Sequence, residues 1–519
     1  MIFIIHQNNR VLKVLDNKQN KIAFNRKKSI ADTLFNLATQ FPNNLIIWCN
    51  RDYFDYINLK ALPDIFHHRG ILASFSFSDN NFLPNQIGYV DLSIYIKINK
   101  KVCYPTWLLS GDVGGVHAEV LNAISKDFNT YSNFHYFLNA LAKTAMHQGL
   151  FCYSHPNLLL GKPNTVNQVK QASTFVLFQF VKEHYKWNWV YILFTAFIIF
   201  EKKFPIIPLL KSLFYKKIEY DFDFTKIPFQ TSRNIIDKRE IDVIIPTIGR
   251  KVYLYDVLKD LSRQTLLPKN VIIVEQNPIK NSVSELNYLY NEKWPFNIKH
   301  RFINKMGVCN ARNIAIDLVE SEWVFFGDDD IRFNKLLVEK AFINIKNLGV
   351  RAINFTCLQP LEEQTYFKIA QTPIFGSGSS VVKSELFKNI KFDLSYEYGY
   401  REDSDFGMQI RWLGEDVIFI PDLIITHLKA PVGGFRKKPA SPWKSEKQLP
   451  KPSPTVMLFN LKYFTKQQKL GYKLMLFVKN YKSQSIKNPI NYVKNMRKGW
   501  CVSLTWAEKI NYNGVEKNN

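Results

Sequence analysis

Residues 323–333 read WVFFGDDDIRF, an apolar run closed by Gly327 and followed at once by Asp328, Asp329 and Asp330. An unbroken apolar run is how a strand hidden on both faces looks in sequence. Its end releases three carboxylates into one small volume, where each raises the pKa of its neighbours. One reading is a solvated acidic turn. The other is a seat for a hard divalent cation, Mg²⁺ or Mn²⁺, that keeps positions open for phosphate oxygens.

The surroundings bear on the choice. Upstream, IDVIIP (241–246) and NVIIVEQN (270–277) are buried-strand runs, while YLYDVLKDLSRQ (253–264) and GVCNARNIAIDLVES (307–321) have helical spacing. This β-α-β-α-β order predicts a parallel sheet with right-handed crossovers and ligands at the carboxyl ends of the strands, where the aspartates fall. Downstream, GYREDSDFGMQIRWLG (399–414) places Glu402, Asp403 and Asp405 in the first turn of a helix with an apolar stripe at Phe406, Ile410 and Leu413. Acids there also serve simply to complement the helix dipole. In IFIPDLIITHLKAPVGGFR (418–436) a strand ends in His427 before a glycine-rich loop. Neutral imidazole is a good metal ligand, although a lone histidine is as readily structural.

Taken together, IDVIIPTIGR, VIIVEQNP, GVCNARNIAI, GDDD, FGSGSSVVKSELF, YREDSDF and THLKAPVGGFR resemble the family 2 glycosyltransferases of the GT-A fold, in order over about residues 238–435. The resemblance implies an α/β domain with a central, mostly parallel sheet that binds a nucleotide-diphosphate sugar. Pro246, Thr247, Glu275 and Arg312 would line the nucleotide pocket, with Asp328 on the ribose side and Asp329 beside it. Asp330 and His427 would hold the divalent metal (Mg or Mn) of the Asp-x-Asp motif. Asp403 would be the general base of an inverting displacement, Glu402 would bind acceptor, and Arg436 would reach the diphosphate. The second strand departs from the family pattern, ending VEQN where Asp is usual, so Glu275 or Gln276 must take that place and the nucleotide stays open.

The remaining chain adds context. With 519 residues and 46% hydrophobic content the protein has material for more than one core. Its net charge of +25 is uneven, since residues 436–519 hold 18 Lys and Arg against 3 Glu. Such a tail seeks anions, and an anionic membrane surface is the expected partner. Nucleic acid is not expected, because no zinc-ligand spacing or RNP-like aromatic motif accompanies the charge. Six scattered cysteines beside apolar residues read as buried reduced thiols, and MIFIIHQNNR at the start reads as a strand rather than a signal peptide. The expected location is the cytoplasm, peripheral at the inner membrane face. The uncharged stretch WNWVYILFTAFIIF (187–200) would make about 21 Å of helix, short of the roughly 30 Å hydrocarbon core. It reads either as a segment at a membrane surface or as a buried helix between domains.

Four regions follow: an α/β domain at 1–170, an aromatic and basic connector at 171–237, the glycosyltransferase-like domain at 238–440, and a basic amphipathic appendage at 441–519. The first also resembles a degenerate copy of the third. Gly149 and Pro156 stand seven apart, as do Gly414 and Pro421; Glu119 precedes Gly149 by 30 residues and Glu385 precedes Gly414 by 29. The comparison sets Asn50, Arg51 and Asp52 against the three aspartates, and Phe137 and Leu138 near the place of Asp403. The expected function is sugar transfer to a glycan or lipid-linked hydroxyl in bacterial surface polysaccharide assembly. The alternative is a non-catalytic glycan- or nucleotide-binding protein that kept the fold.

Overall fold

The computed structural model describes all residues except 125–127, 129–130, 164–165, 167, 225, 398, 432–440 and 519, with backbone alone for 512–518. Contacts divide it into two units, Met1–Arg233 with Tyr463–Asn480, and Asn234–Lys462 with Tyr481–Asn519. Each unit has its own sheet.

In the second unit the expected strands form for the expected reason. Strands β8 (Ile241–Thr247), β9 (Asn270–Gln276), β10 (Asn297–Ile303) and β11 (Trp323–Gly327) are parallel in the order β10-β9-β8-β11. β8, β9 and β11 are apolar and buried on both faces, as helix-covered parallel strands must be. Beyond β11 the sheet also takes in antiparallel strands, while β13 and β16 keep the direction of β11, so the sheet remains mostly of one direction. β15 (Ser379–Lys383) is antiparallel to β11 and to β13 (Ala352–Leu358), which runs parallel to β16 (Ile418–His427); β12 (Ile331–Phe333) and β14 (Ala370–Gln371) are antiparallel to β16.

At the end of the sheet opposite the aspartates, Asp242 is fully buried. It accepts from the backbone N–H groups of Asn270, Glu320 and Ser321, from Asn270 Nδ2 at 2.8 Å and from Ser321 Oγ at 2.6 Å. A buried carboxylate needs such a set of donors, and Asp242 ties three loops together by it. Under the aspartate end, Phe326 meets the rings of Phe375, Phe387, Phe392 and Phe406, and Phe392 stacks on Phe406 at 4.3 Å.

The first unit carries β1 (Ile2–Gln7), β2 (Arg10–Asp16), β3 (Leu45–Asn50), β4 (Ile71–Phe75), β5 (Tyr104–Pro105), β6 (Val113–His117) and β7 (Phe151–Ser154), in the order β2-β1-β3-β6-β4-β7-β5. β1-β3-β6-β4-β7 repeats β8-β11-β15-β13-β16 in order and in every direction: parallel, antiparallel, antiparallel, parallel. The register agrees as well. Leu45 pairs with His117 and Cys49 with Val113, as Trp323 pairs with Lys383 and Gly327 with Ser379. Asn50, the last residue of β3, with Arg51 and Asp52 after it, therefore stands in register where the aspartates follow β11. Gly149 and Gly414 both have positive φ, 108° and 90°, where an L side chain is strained. In the first unit the two glycines of β6 are required by close approach. A Cβ on Gly114 would lie 2.3 Å from Trp48 Cζ2, and one on Gly115 2.4 Å from Ile47 Cδ1.

Two expected boundaries change. Residues 171–233 are not a linker but part of the first unit, where helix Thr174–His184 buries Leu177, Phe178, Phe180 and Val181 and Trp107 stacks on Phe180 at 5.5 Å. Residues 441–519 are not a separate appendage: helix Pro454–Tyr463 buries Met457, Leu458 and Phe459, and the helices divide between the two units. Among the cysteines, Cys49, Cys152 and Cys309 are buried, whereas Cys357 and Cys501 are exposed, contrary to expectation; none forms a disulfide. No helix among the described residues is long and apolar enough to cross a membrane.

Candidate active site

A cavity of about 270 Å³ opens at the carboxyl ends of β8 and β11, and Pro246, Thr247, Arg312, all three aspartates, Glu402 and His427 line it. Their convergence follows from the chain. The parallel strands deliver Thr247 and Asp328–Asp330 to one edge, and β16 pairs His427 with Ile331, next to Asp330. Helix Glu402–Trp412 is anchored by buried Phe406, one turn beyond Asp403 on the same face.

Each aspartate has a different environment. Asp328 is the most open; its Oδ1 lies 3.6 Å from Arg312 Nη2, and its carboxylate approaches Gly378 so closely that a Cβ there would come within 2.2 Å of Oδ2. Asp329 is buried and accepts from Thr247 Oγ1 at 2.7 Å and from Arg250 Nη1 at 2.7 Å. Burial nevertheless raises its pKa to about 6, against the pull of Arg250 and Thr247. Asp330 is also buried; its Oδ2 accepts from the Ala430 N–H at 2.9 Å and lies 3.1 Å from Arg250 Nη1. Burial acts to raise its pKa, but His427, the Ala430 N–H and Arg250 outweigh burial and hold it below the ordinary value.

Arg250 thus neutralises two of the three carboxylates. It is a site residue that sequence reading missed, because one arginine after Gly249 makes no pattern.

On the other wall, buried Arg312 lies between Asp328 and Asp403, its Nη1 3.7 Å from Asp403 Oδ1, with its guanidinium over the Phe392 ring. Arg312 Nε and Nη1 have no hydrogen-bond partner among the described residues. Asp403 accepts a short hydrogen bond from Ser377 Oγ. Burial raises the Asp403 pKa, opposed by Arg312 and Ser377. Glu402 is pushed up to about 7, by burial first and by the Asp403 charge second. The two carboxyl groups titrate as one coupled pair above the usual carboxylate range.

One expected placement changes. Glu275 is turned away from the cavity, bonded to His300 Nε2 at 3.0 Å and accepting from the Glu285 N–H. Gln276, the next residue and so on the opposite face, lines the cavity and accepts from the Gly307 N–H at 2.7 Å. Arg436 lies outside the described residues. Glu397, which no motif flagged, accepts from the N–H groups of Cys309 and Asn310 and so caps the helix that carries Arg312.

The residues present fit a divalent cation. Asp330 Oδ1 lies 3.2 Å from His427 Nε2 but accepts no well-aligned hydrogen bond from the described residues, which leaves a lone pair free. No group of three His, Cys, Asp or Glu ligands occurs among the described residues. A cation here would accordingly be completed by phosphate oxygens and water, the usual habit of Mg²⁺. His427 would first have to give up a proton, since Asp330 and then Cys357 raise its pKa to about 10.

Comparison with known proteins finds the following similarities. Residues 242–400 match the model of the family described as Glycosyl transferase family 2. No curated protein sequence matches the chain. Solved structures that resemble it include S. aureus TarS residues 1–349, at 18% identity over 48% of this chain and 73% of that one, with a TM-score of 0.34. The same TarS fragment in complex with UDP-GlcNAc gives 19% identity, 48% and 74% coverage and a TM-score of 0.35. The second unit thus carries a domain that matches Glycosyl transferase family 2 over residues 242–400, and a further α/β unit precedes it.

Proposed function

We propose that the second unit of this glycosyltransferase moves a sugar from a nucleotide-diphosphate donor to a hydroxyl of a glycan or lipid-linked acceptor, with inversion at the anomeric carbon. One observation carries the reading: a single buried guanidinium, Arg312, lines the cavity beside the donor-side Asp328, 3.6 Å away, and reaches Asp403, which does not itself line the cavity, at 3.7 Å. The acceptor hydroxyl gives its proton to the Asp403 carboxylate while its oxygen bonds to the anomeric carbon. The bond from that carbon to the diphosphate breaks on the opposite face, and the nucleotide diphosphate leaves with the electron pair. No covalent sugar intermediate is required.

Asp403 suits this role because burial raises its basicity while Arg312 keeps it ionised. Glu402, beside it, suits acceptor binding. Asp330 and His427 would hold Mg²⁺ or Mn²⁺, which supplies positive charge to the leaving diphosphate. The free N–H groups of Arg312 are suited to the same anion. Asp403→Asn should abolish transfer while nucleotide binding persists; a variant that still turned over would remove Asp403 from the base's role, and an unaltered chain that bound nucleotide without transferring sugar would leave the binding-protein reading in place. We place the enzyme in surface polysaccharide assembly at the inner membrane face, a placement motivated by its basic and aromatic segments. Transfer to lipid-linked oligosaccharide, but not to soluble glycans, is the assay that checks it.

We read the first unit as a silent relative of the second. Its strand order and register support this, and its chemistry explains the silence. Counting back from Gly149 as from Gly414, Phe137 and Leu138 stand where Glu402 and Asp403 stand, and both are buried. A bound nucleotide count of one per chain is expected, and a count of two would sink the reading.

A further inference from the structure

Helix Ile206–Ser212 is built inside out. Ile206, Ile207, Leu210, Leu213 and Phe214, spaced i, i+1, i+4, i+7 and i+8 along this helix and the turn that continues it, form one apolar stripe. That stripe is exposed, with Ile207 at 69% and Phe214 at 88%, while Pro208 and Ser212 are buried on the other side. A soluble helix shows the reverse arrangement, and an exposed apolar stripe marks a contact surface. Phe204, just before the helix, is 68% exposed. The helix packs against Thr174–His184, whose exposed Phe175 lies under Lys211 Nζ at 5.7 Å.

Charge selects the occupant. Residues 171–218 hold seven lysines and two acids. Both acids are engaged within the fold: Glu183 accepts from Tyr131, Tyr136 and Gln179, and Glu201 accepts from Tyr89 at 2.6 Å and Gln86. Lys202, Lys203, Lys211 and Lys216 are exposed around the stripe, and Lys217 is exposed but pairs with Glu219 at 2.8 Å. Apolar side chains ringed by long flexible cations suit the headgroup and acyl boundary of an anionic bilayer, where lysine ammoniums reach the phosphates and the stripe enters the hydrocarbon edge.

We infer that residues 204–217 dock the chain on an anionic lipid surface. The sequence offered residues 187–200 either as a segment at a membrane surface or as a buried helix; of these Val190, Leu193, Ala196 and Phe197 are buried in the unit, while Trp187, Tyr191 and Ile199 are exposed. The inference uses no feature of the transferase site, so the two readings can fail separately.

The test is flotation of the full chain with phosphatidylcholine vesicles, with and without phosphatidylglycerol, over a salt series. Binding is expected only with phosphatidylglycerol and should weaken as salt rises. Ile207→Glu/Phe214→Glu, both exposed and so compatible with folding, should lower binding by at least about tenfold, with the melting temperature unchanged. Asp403→Asn should bind as the unaltered chain does. The basic tail offers a competing source of lipid affinity, so equal flotation of the double variant and the unaltered chain would overturn the inference. So would an unaltered chain that ignores the vesicles but forms dimers which the double variant abolishes, since the face would then bind a second copy.

Discussion

Replacing Arg312 by Gln removes the cation that faces Asp403 among the described residues, and the consequence can be worked from the distances. Two unit charges 3.7 Å apart interact by about 4 kcal/mol at an effective dielectric of about 20. The Asp403 side chain is 37% exposed, so solvent screening leaves on the order of 1–2 kcal/mol. That corresponds to about one pKa unit. The sign is fixed: Arg312 favours the ionised carboxylate, so its loss raises the pKa of the Glu402–Asp403 pair, and a base with a higher pKa loses its active form at higher pH. The acid limb of kcat/KM against pH, which reports the free enzyme, should move up by about one unit. Arg312→Lys keeps the charge and should leave the limb within a few tenths. Loss of donor binding alone would depress kcat/KM at every pH without moving the limb. An acid limb that stayed in place in the Gln variant, or moved down, would refute the assignment of Arg312 as the group that holds Asp403 ionised.

Other outcomes follow from single environments. Glu402 ionises only near pH 7 in the folded chain, well above its unfolded value, so its contribution to stability is full below about pH 4.3 and is lost as pH rises through 7. Glu402→Gln should therefore gain on the order of 1–3 kcal/mol at pH 8 and nothing at pH 4, read as thermal melting at the two pH values. Asp242→Ala strands five donors far from the cavity and should cost about 3 kcal/mol or more in urea unfolding, while kcat of the folded fraction is unchanged. Chelation should abolish transfer, with Mn²⁺ or Mg²⁺ restoring it. In Asp330→Asn the metal needed for half-maximal rate should rise at least about tenfold; an unchanged requirement would place the cation elsewhere.

The strands of the second unit were legible because β-branched runs stopped by Pro246 or Gly327 have few other ways to fold. The acidic triplet was legible as a site only through Asp403 and His427, far away in sequence but brought to it by Phe406 and by the pairing of β16 with β12. Glu275 was misplaced for a physical reason: β9 is buried on both faces, so no alternation in the sequence says which of Glu275 and Gln276 meets the cavity. Arg250 and Glu397 act through one side chain each across long chain separations, and nothing local marks them. The role of helix Ile206–Ser212 was hidden because a sequence shows an apolar stripe without saying whether it points in or out. The first unit was legible through the spacing of Gly149 and Pro156, since a left-handed glycine between a helix and a strand holds its place while its neighbours drift.

Trp48 in that unit has a consequence for its history. Its indole lies where any side chain on Gly114 would have to go, and its ring meets Phe134 edge-on at 5.7 Å. If the first unit is a silent relative, writing aspartates at 50 and 51 beside Asp52 would place carboxylates at a sheet edge whose underlying layer is built around tryptophan and glycine. Recovery would need several changes in the interior at once, each harmful alone. On the reading of the first unit as a silent relative, the loss behaves as a ratchet, leaving the unit free to change its surface but closed to a return to chemistry.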